Sequence, residues 1–375
     1  MCIHPLSKGC THVKKRADGR YQKKVCVGYT ESGKRKIKYV YGDTQKEVLR
    51  KEREILLSID NGKYVDSSSI TLEEWAKQWI DVYKSTVEYN TKEMYLNSMN
   101  RYIIPYLGKT KIQTIQPIQI QSLINDILAE GKTRSAEICQ LTIKQIFNQA
   151  VRNRIISINP AEYLSPIKCK YKEKRALTHI EKESIKNAVL EKKERIFIDI
   201  MRYAGLRKGE ALAITKQDID VSERTISVNK SIYFKGNNPN LKDPKSHRNR
   251  VIPIPNILYG ELIDYMNSIH ENSLFTMKNG QLISKSSFRR FWENIIEKLS
   301  KVSCLNYNQE VYFTPHTCRH TYATDLYYAE VDVKTAQYLL GHSTLKITLE
   351  IYTHLDEKRT TKNIQKLDDY LCLAQ

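Results

Sequence analysis

Thr314-Pro315-His316-Thr317-Cys318-Arg319-His320, then Leu340-Gly341-His342, then Ile351-Tyr352-Thr353-His354, make an ordered set of polar and titratable side chains near the C-terminus. Thr314 offers an N-cap hydroxyl and Pro315 suits the first helical position, so a helix is expected to begin there. His316, Arg319 and His320 then fall at i, i+3 and i+4 and share one helix face. Gly341 is expected to end a short apolar helix carrying Ala336, Leu339 and Leu340, with His342 just beyond it. Tyr352 follows ten positions later, after Leu345, Ile347, Leu349 and Ile351. Tyrosine can act as a covalent nucleophile. A phenol titrating at about 10 is a poor one alone and needs cationic and hydrogen-bonding neighbours. Arginine and histidine are the types that stabilise charge on a phosphoryl group.

The rest of the chain supplies a polyanion-binding background. At 375 residues it is long enough for two or three domains. Its formal net charge is +19, with a pI near 9.4, a surplus that attracts polyanions by counterion release. Nucleic acid fits that surplus best; ribosomal and anionic-membrane partners also fit the charge alone. No apolar run reaches the ~18 residues a membrane span needs, and no signal peptide is visible. A soluble, cytoplasmic protein is therefore expected. The eight cysteines are scattered and read as reduced thiols. Cys2, His4, Cys10 and His12 could supply zinc ligands, but their one-residue gaps are not a usual finger spacing.

From the N-terminus, three short strands are expected over 12–17, 20–28 and 34–41, joined by turns at Asp18-Gly19 and Ser32-Gly33. Thr44, with Glu47 in capping-box position, starts a helix that runs to about Ile59. Residues 1–69 hold 16 Lys and Arg against 8 Asp and Glu. One sheet face is expected to carry Arg20, Lys23, Lys34, Lys36 and Lys38 beside tyrosines, thin enough to enter a DNA major groove. After the polar linker at Asp66-Ser67-Ser68-Ser69, apolar periodicity predicts four helices, starting near Thr71, Thr91, Thr114 and Thr133. The second is expected to stop at Pro105 and Gly108. Lys109, Lys111, Lys132, Arg134 and Lys144 are candidate phosphate contacts. The basic run Lys168, Lys170, Lys172, Lys174, Arg175 lacks apolar periodicity and reads as a linker.

Beyond it, Thr178 caps a helix and Ile196–Tyr203 forms a buried one, followed by Gly205-Leu206-Arg207-Lys208-Gly209-Glu210. Glu210 lies three residues after Arg207, on the same face. Residues 225–234 read as one strand paired with 250–255, around a basic loop containing Lys242, Lys245 and Arg248. Helices are expected around 258–269 and 286–302. A last apolar periodicity, Ile364, Leu367, Tyr370 and Leu371, marks residues 361–373. The chain shows no P-loop, no clustered acidic metal site and no Gly-rich nucleotide loop.

His-x-x-Arg, Leu-Gly-His and Tyr-x-His, in this order and with these gaps, resemble the active-site half of tyrosine recombinases, the phage and conjugative-transposon integrases together with the Xer-type resolvases. Gly205-Leu206-Arg207-Lys208-Gly209-Glu210, about 110 residues upstream of Arg319, resembles the family's first catalytic box. Ile104-Pro105-Tyr106-Leu107-Gly108 and Ile158-Asn159-Pro160-Ala161 look like its core-binding domain, and the N-terminal sheet resembles an arm-binding domain in shape and charge. The resemblance implies a multidomain fold. A small three-stranded sheet with a helix (residues 1–66) precedes an all-α core-binding domain (67–168) and a mainly α, α+β catalytic domain (169–375) whose C-terminal helix docks on a neighbouring protomer.

It also implies a chemistry. Arg207 and Arg319 would grip one scissile phosphate, His316 and His342 would hydrogen-bond it or move the phenol proton, and Tyr352 would be the nucleophile. Lys245, or Lys242 as the fallback, would protonate the leaving 5′ oxygen. Glu210, His320 and His354 would support, and Lys172 and Lys174 would run along the DNA. No cofactor and no metal are implied, and the bond energy is kept in a 3′-phosphotyrosyl link. The partners implied are double-stranded DNA at core and arm sites, three further copies of the chain, and a directionality factor or DNA-bending host protein; no membrane is involved. A catalytically silent DNA-binding regulator and a type IB topoisomerase are the competing readings. The complete residue set argues against the first, the arm-like domain and docking tail against the second.

Overall fold

The computed structural model describes residues 12–30, 32–61, 64–66, 68–168, 175–243 and 249–356, the last four of these as backbone only. The chain divides into two units, Met1–Tyr171 and Lys172–Gln375. The candidate zinc ligands Cys2, His4 and Cys10, most of the basic linker, and the expected docking segment 361–373 lie outside the described residues.

In the first unit, β1 (Lys14–Lys15), β2 (Tyr21–Tyr29) and β3 (Arg35–Gly42) pair antiparallel in that order. Thr44 caps α1 (Gln45–Asp60), its Oγ1 accepting from the Glu47 amide at 3.2 Å. The side-chain period of two decides what α1 covers. Lys23 lies opposite Val40 and Val25 opposite Lys38, and Val25, Val40 and Val48 form the small core between sheet and helix. The basic side chains therefore do not share the face expected of them. Lys23 points toward the helix, 9% exposed, and its Nζ bonds Glu52 at 2.6 Å. Lys38, on that same side, sits over the Tyr64 ring, and Lys36 pairs with Asp66. The open face carries instead Gln22 opposite Tyr41, Lys24 opposite Tyr39 and Cys26 opposite Ile37. Lys24 lies over the Tyr39 ring and Arg16 over the Tyr41 ring, at 5.5 and 5.3 Å.

A helical bundle follows: α2 (Leu72–Val82), α3 (Tyr89–Ser98), a π turn (Met99–Ile103), α4 (Ile104–Leu107), α5 (Pro117–Ala129) and α6 (Thr133–Arg152). Thr71 and Glu74 form a full capping box on α2. The stripe of Leu72, Trp75 and Trp79 packs against Ile120, Ile124, Ile143, Ile146 and Phe147, and the Trp75 indole N–H donates to the Ile146 carbonyl at 3.1 Å. The helical run ends at Gly108, as expected, but Pro105 does not stop it. Ile104 bonds back to Met99 through the π turn, and Pro105 then falls in the first turn of α4, where no amide hydrogen is required of it.

The second unit begins with α7 (His179–Asn187), α8 (Lys192–Tyr203) and α9 (Lys208–Ala213), the first capped by Thr178 and Glu181. β4 (Ile219–Asp220), β5 (Thr225–Val228), β6 (Ser231–Lys235), β7 (Asn238–Lys242) and β8 (Arg250–Pro253) come next, then α10 (Asn256–Ser268), α11 (Lys285–Tyr307), α12 (Pro315–Tyr328), α13 (Val333–Leu340) and α14 (Leu345–Asp356). Phe197 on α8 is the hub of the core, with Phe275, Phe288, Phe291 and Trp292 edge-on to it at 5.3 to 6.2 Å. The single strand expected over 225–234 is in fact two. Asn229 and Lys230 turn to the Asp218 carboxylate, the lysine at 2.6 Å, and that anchor breaks the strand. Only β5 pairs with β8, in a sheet of order β4-β5-β8, while β6 and β7 form their own hairpin. α11 runs on past the expected Val302 to Tyr307, where Asn308 ends it in the left-handed region. Among the described residues, no helix is long and apolar enough to cross a membrane.

Candidate active site

The site is built where α9, α12, β8 and the end of α13 meet. Gly205 takes φ +64° before α9, and a Cβ there would lie 2.2 Å from the Tyr322 ring, so only glycine lets the chain turn so close to α12. That turn delivers Arg207 to the N-terminus of α9. Its backbone amide donates to Glu210 Oε2 and its Nη1 to Oε1, both at 2.8 Å. Arg319, one turn into α12 and buried, donates through Nη1 to the Gly205 carbonyl at 2.6 Å. Arg250, the first residue of β8, reaches the same carboxylate: Nη2 to Oε2 at 2.8 Å and Nη1 to Oε1 at 3.2 Å.

The three arginines also share a second set of acceptors. Arg250 Nε donates to Leu339 O at 3.0 Å, Arg319 Nη2 to Leu340 O, and Arg207 Nη2 to Gly341 O at 2.7 Å. These are successive carbonyls at the C-terminal end of α13, the negative end of a helix dipole and a place where intrahelical donors run out. Gly341 closes the helix at φ +60° and hands the chain to His342.

The electrostatics follow from this crowding. Burial works to raise the Glu210 carboxyl, but its hydrogen bonds with Arg250 and the charges of Arg250, Arg207 and Arg319 hold it at about 2. Burial, then Arg207, pulls Arg319 down to about 9, which leaves it a cation at neutral pH. One carboxylate faces three guanidiniums, so the pocket keeps a positive surplus suited to an anion. Burial and then the charges of Arg319 and Arg207 push His342 down to about 3. It is a neutral imidazole, with Nδ1 2.9 Å from Thr348 Oγ1. Its other nitrogen can then donate or accept according to the tautomer. His316 and His320 lie one turn apart on α12, rings edge-on at 6.1 Å.

Tyr352, on α14, is 7% exposed and packs its ring on Tyr327 at 5.1 Å. Its hydroxyl donates to Val331 O at 3.2 Å. Burial, then Asp332 and Tyr322, push the phenol up to about 12. Tyr322, beside Gly205, also feels Arg250 and Arg319, so it is the neighbour common to the tyrosine and the arginine cluster. The phenol is thus held in a state opposite to that of an activated nucleophile.

Of the expected site residues, Arg207, Glu210, Arg319 and His342 come together in one cluster, with Arg250 added. Lys245, Lys172 and Lys174, and the side chain of His354, lie outside the described residues. Lys242 ends β7 over the Tyr233 ring. Lys109, Lys132, Arg134 and Lys144 are exposed on the bundle; Lys132 pairs with Glu130, Arg134 with Glu137, and Lys144 reaches Glu162 O. Arg20 folds back on Asp18, and Lys34 is exposed in the β2–β3 turn. Sequence reasoning passed over Arg250, Thr348 and Lys24. The signal for Arg250 was a charged residue opening an otherwise apolar strand, and for Lys24 it was the neighbouring alternation of Tyr39 and Tyr41.

Comparison with known proteins adds a family. Residues 170–359 match the phage integrase family, and residues 71–128 match its N-terminal SAM-like domain. A tyrosine recombinase XerC-like protein of Caldanaerobacter subterraneus subsp. tengcongensis is 30% identical, covering 93% of this chain and 96% of its own. The ICEBs1 integrase of Bacillus subtilis is 23% identical over 96% of this chain and all of its own. Among solved structures, the Tn1549 transposon integrase with transposon right end DNA superposes with a TM-score of 0.70, at 22% identity, over 80% of this chain and 100% of that one. A lambda integrase tetramer on a Holliday junction gives 0.59, at 18% identity, over 91% and 94%. At these identities the superpositions establish likeness of fold.

Proposed function

The chain belongs to the phage integrase family of tyrosine recombinases, enzymes that cut and rejoin DNA, and we propose that it integrates and excises a mobile element through a 3′-phosphotyrosyl intermediate on Tyr352. The observation that carries the assignment of residues is the cluster of three guanidiniums around Glu210. Each guanidinium has five N–H donors, so Arg207 and Arg319 keep donors for the two non-bridging oxygens of a phosphodiester. His316 and neutral His342 add hydrogen bonds as charge grows on the phosphoryl oxygens. Tyr352 Oη attacks phosphorus, the bond to the 5′ oxygen breaks, and that oxygen takes a proton from Lys245. The phenol proton leaves through the histidines. A 5′ hydroxyl from a partner strand later attacks the phosphotyrosine and returns the phenol. One phosphoester is exchanged for another, so no external energy source enters.

Tyr352 must exchange its bond with Val331 for the phosphate before cleavage, so the described arrangement is the resting one. Glu210 and His320 support the cluster. On the first unit, the open sheet face of Lys24, Tyr39 and Tyr41 with Arg16 suits duplex DNA at a distal arm site, with Lys34 and Arg20 at its margin. Lys109, Lys132, Arg134 and Lys144 suit the core duplex backbone. The assembly is a tetramer on two DNA sites, working in the cytoplasm with a directionality factor or a DNA-bending host protein.

The test is incubation with nicked duplexes that span candidate crossover sites, which trap the covalent complex. Wild type is expected to form protein–DNA adducts and Tyr352→Phe none.

A further inference from the structure

We infer that Arg250 is a positioning residue for strand cleavage, holding the Glu210 carboxylate and the last turn of α13 where Arg207, Arg319 and His342 can receive a phosphodiester. The inference rests on the recombinase reading above. All three nitrogens of the Arg250 guanidinium face Glu210 or Leu339 O, so it acts through its neighbours rather than on DNA.

Its guanidinium bridges two elements that sequence places far apart. The fork faces Glu210 on α9, and Nε faces Leu339 O on α13. The next residue repeats the grip, since the Val251 amide donates to the Tyr338 hydroxyl at 3.0 Å. Two consecutive residues of β8 therefore hold two consecutive residues of α13. Gly341 records how closely the guanidinium packs: a Cβ there would lie 2.7 Å from Arg250 Nη1 and 2.9 Å from its Cζ. Position 341 thus lacks a side chain for two reasons, its φ of +60° and the arginine lying across it.

What depends on this grip is the pocket's shape. Arg207 and Arg319 also donate to Gly341 O and Leu340 O, whose places are set by the turn that Arg250 anchors. His342 begins directly after that turn. Without Arg250, Glu210 keeps its bonds to Arg207 but loses the partner that fixes both its oxygens from the other side. A lysine would preserve the charge and lose the fork, because a point-like ammonium does not reproduce the planar, bidentate fit of guanidinium to carboxylate with a third nitrogen left for the carbonyl.

Arg250→Lys and Tyr338→Phe are the variants to measure beside wild type, with circular dichroism for folding. The readouts are the first-order rate of adduct formation on nicked duplex at saturating DNA and the DNA concentration that gives half that rate. Arg250→Lys is expected to fold, to slow adduct formation on the order of 100-fold, the effect of misplacing groups by about 1 Å, and to leave the half-saturating concentration within about threefold. Tyr338→Phe, at an exposed ring, is expected to slow it roughly fivefold, the fold-change one lost hydrogen bond carries.

A lysine variant that cleaves at the wild-type rate overturns the inference. So does one that fails to fold, or whose loss of rate tracks its loss of native ellipticity, since either makes Arg250 merely structural. A full-rate Tyr338→Phe removes the grip of β8 on α13 from the explanation and overturns it too. Wild-type protein that makes no Tyr352-dependent adduct overturns the recombinase reading itself, and the wild-type arm tells that failure apart.

Discussion

Arg250 Nη2 donates to Glu210 Oε2 at 2.8 Å, and the two side chains are only 2% and 1% exposed. A buried pair of this kind adds little over a well-packed apolar pair, yet breaking it by removing one partner is costly. Here the carboxylate also serves Arg207 and faces Arg319 at 4.0 Å. Glu210 is therefore the counter-ion that lets three guanidiniums share a small volume while leaving them a positive surplus.

Glu210→Gln is expected to destabilise the second unit by about 3–5 kcal/mol, the effect of stranding buried charge. Chemical denaturation checks this. A loss below about 1 kcal/mol would mean that the arginines are balanced elsewhere.

The same carboxylate sets a pH dependence. Its folded pKa of about 2 lies below its ordinary 4.5, so the unfolded chain binds the extra proton between those values. Its contribution, about 3 kcal/mol from that difference, is fully present above 4.5 and lost as pH falls toward 2. Acid unfolding of wild type against Glu210→Gln should show this component missing in the variant; superimposable slopes would contradict it.

His342 is expected to stay neutral across the working range. Its pKa is depressed from 6.5 to about 3, so it favours folding above 6.5 and that contribution fades as pH falls toward 3. The imidazole resonance of His342, assigned by comparison with His342→Gln, should not titrate between pH 5 and 8. A midpoint near 6.5 would place the ring in water and away from the arginines.

Two adjacent lysines should behave differently. Lys24→Ala, on the open aromatic face, is expected to weaken arm-DNA binding and to lower the salt slope by about 0.9, one phosphate contact. Lys23→Ala is expected to leave that slope unchanged and to lower stability, because Lys23 is paired with Glu52 beneath the sheet. Binding isotherms over a salt series check both. The reverse pattern would mean the opposite face meets DNA.

Much of the fold is legible in the sequence because it is written in local signals. Thr178 with Glu181 marks a helix start, the apolar repeat over 133–152 gives α6 at its full length, and Gly341 ends α13. The signals that failed depend on tertiary contacts. Alternation in β2 and β3 shows that Lys23 and Lys24 face opposite ways, but not which side α1 covers. Asn229 and Lys230 look compatible with a continuing strand until Asp218 is brought beside them. Pro105 reads as a stop until a π turn precedes it. In the site, Arg207 and Arg319 stand out by motif, whereas Arg250 looks like the ordinary end of a strand. Only the packing of β8 against α13 gives it carbonyl and carboxylate partners.

The proposed nucleophile is the sharpest point to test. Tyr352 rests with its hydroxyl on Val331 and its phenol pushed up to about 12, so the proposed chemistry requires DNA to draw it out. The direct measurement is peptide mapping by mass spectrometry of the adduct formed on a nicked duplex that spans the crossover site, with Tyr352→Phe alongside. The expected result is a nucleotide-bearing peptide modified at Tyr352 in wild type and no adduct in the variant. An adduct that persists in Tyr352→Phe, or that maps to another residue, would contradict the assignment of this phenol as the group that attacks DNA.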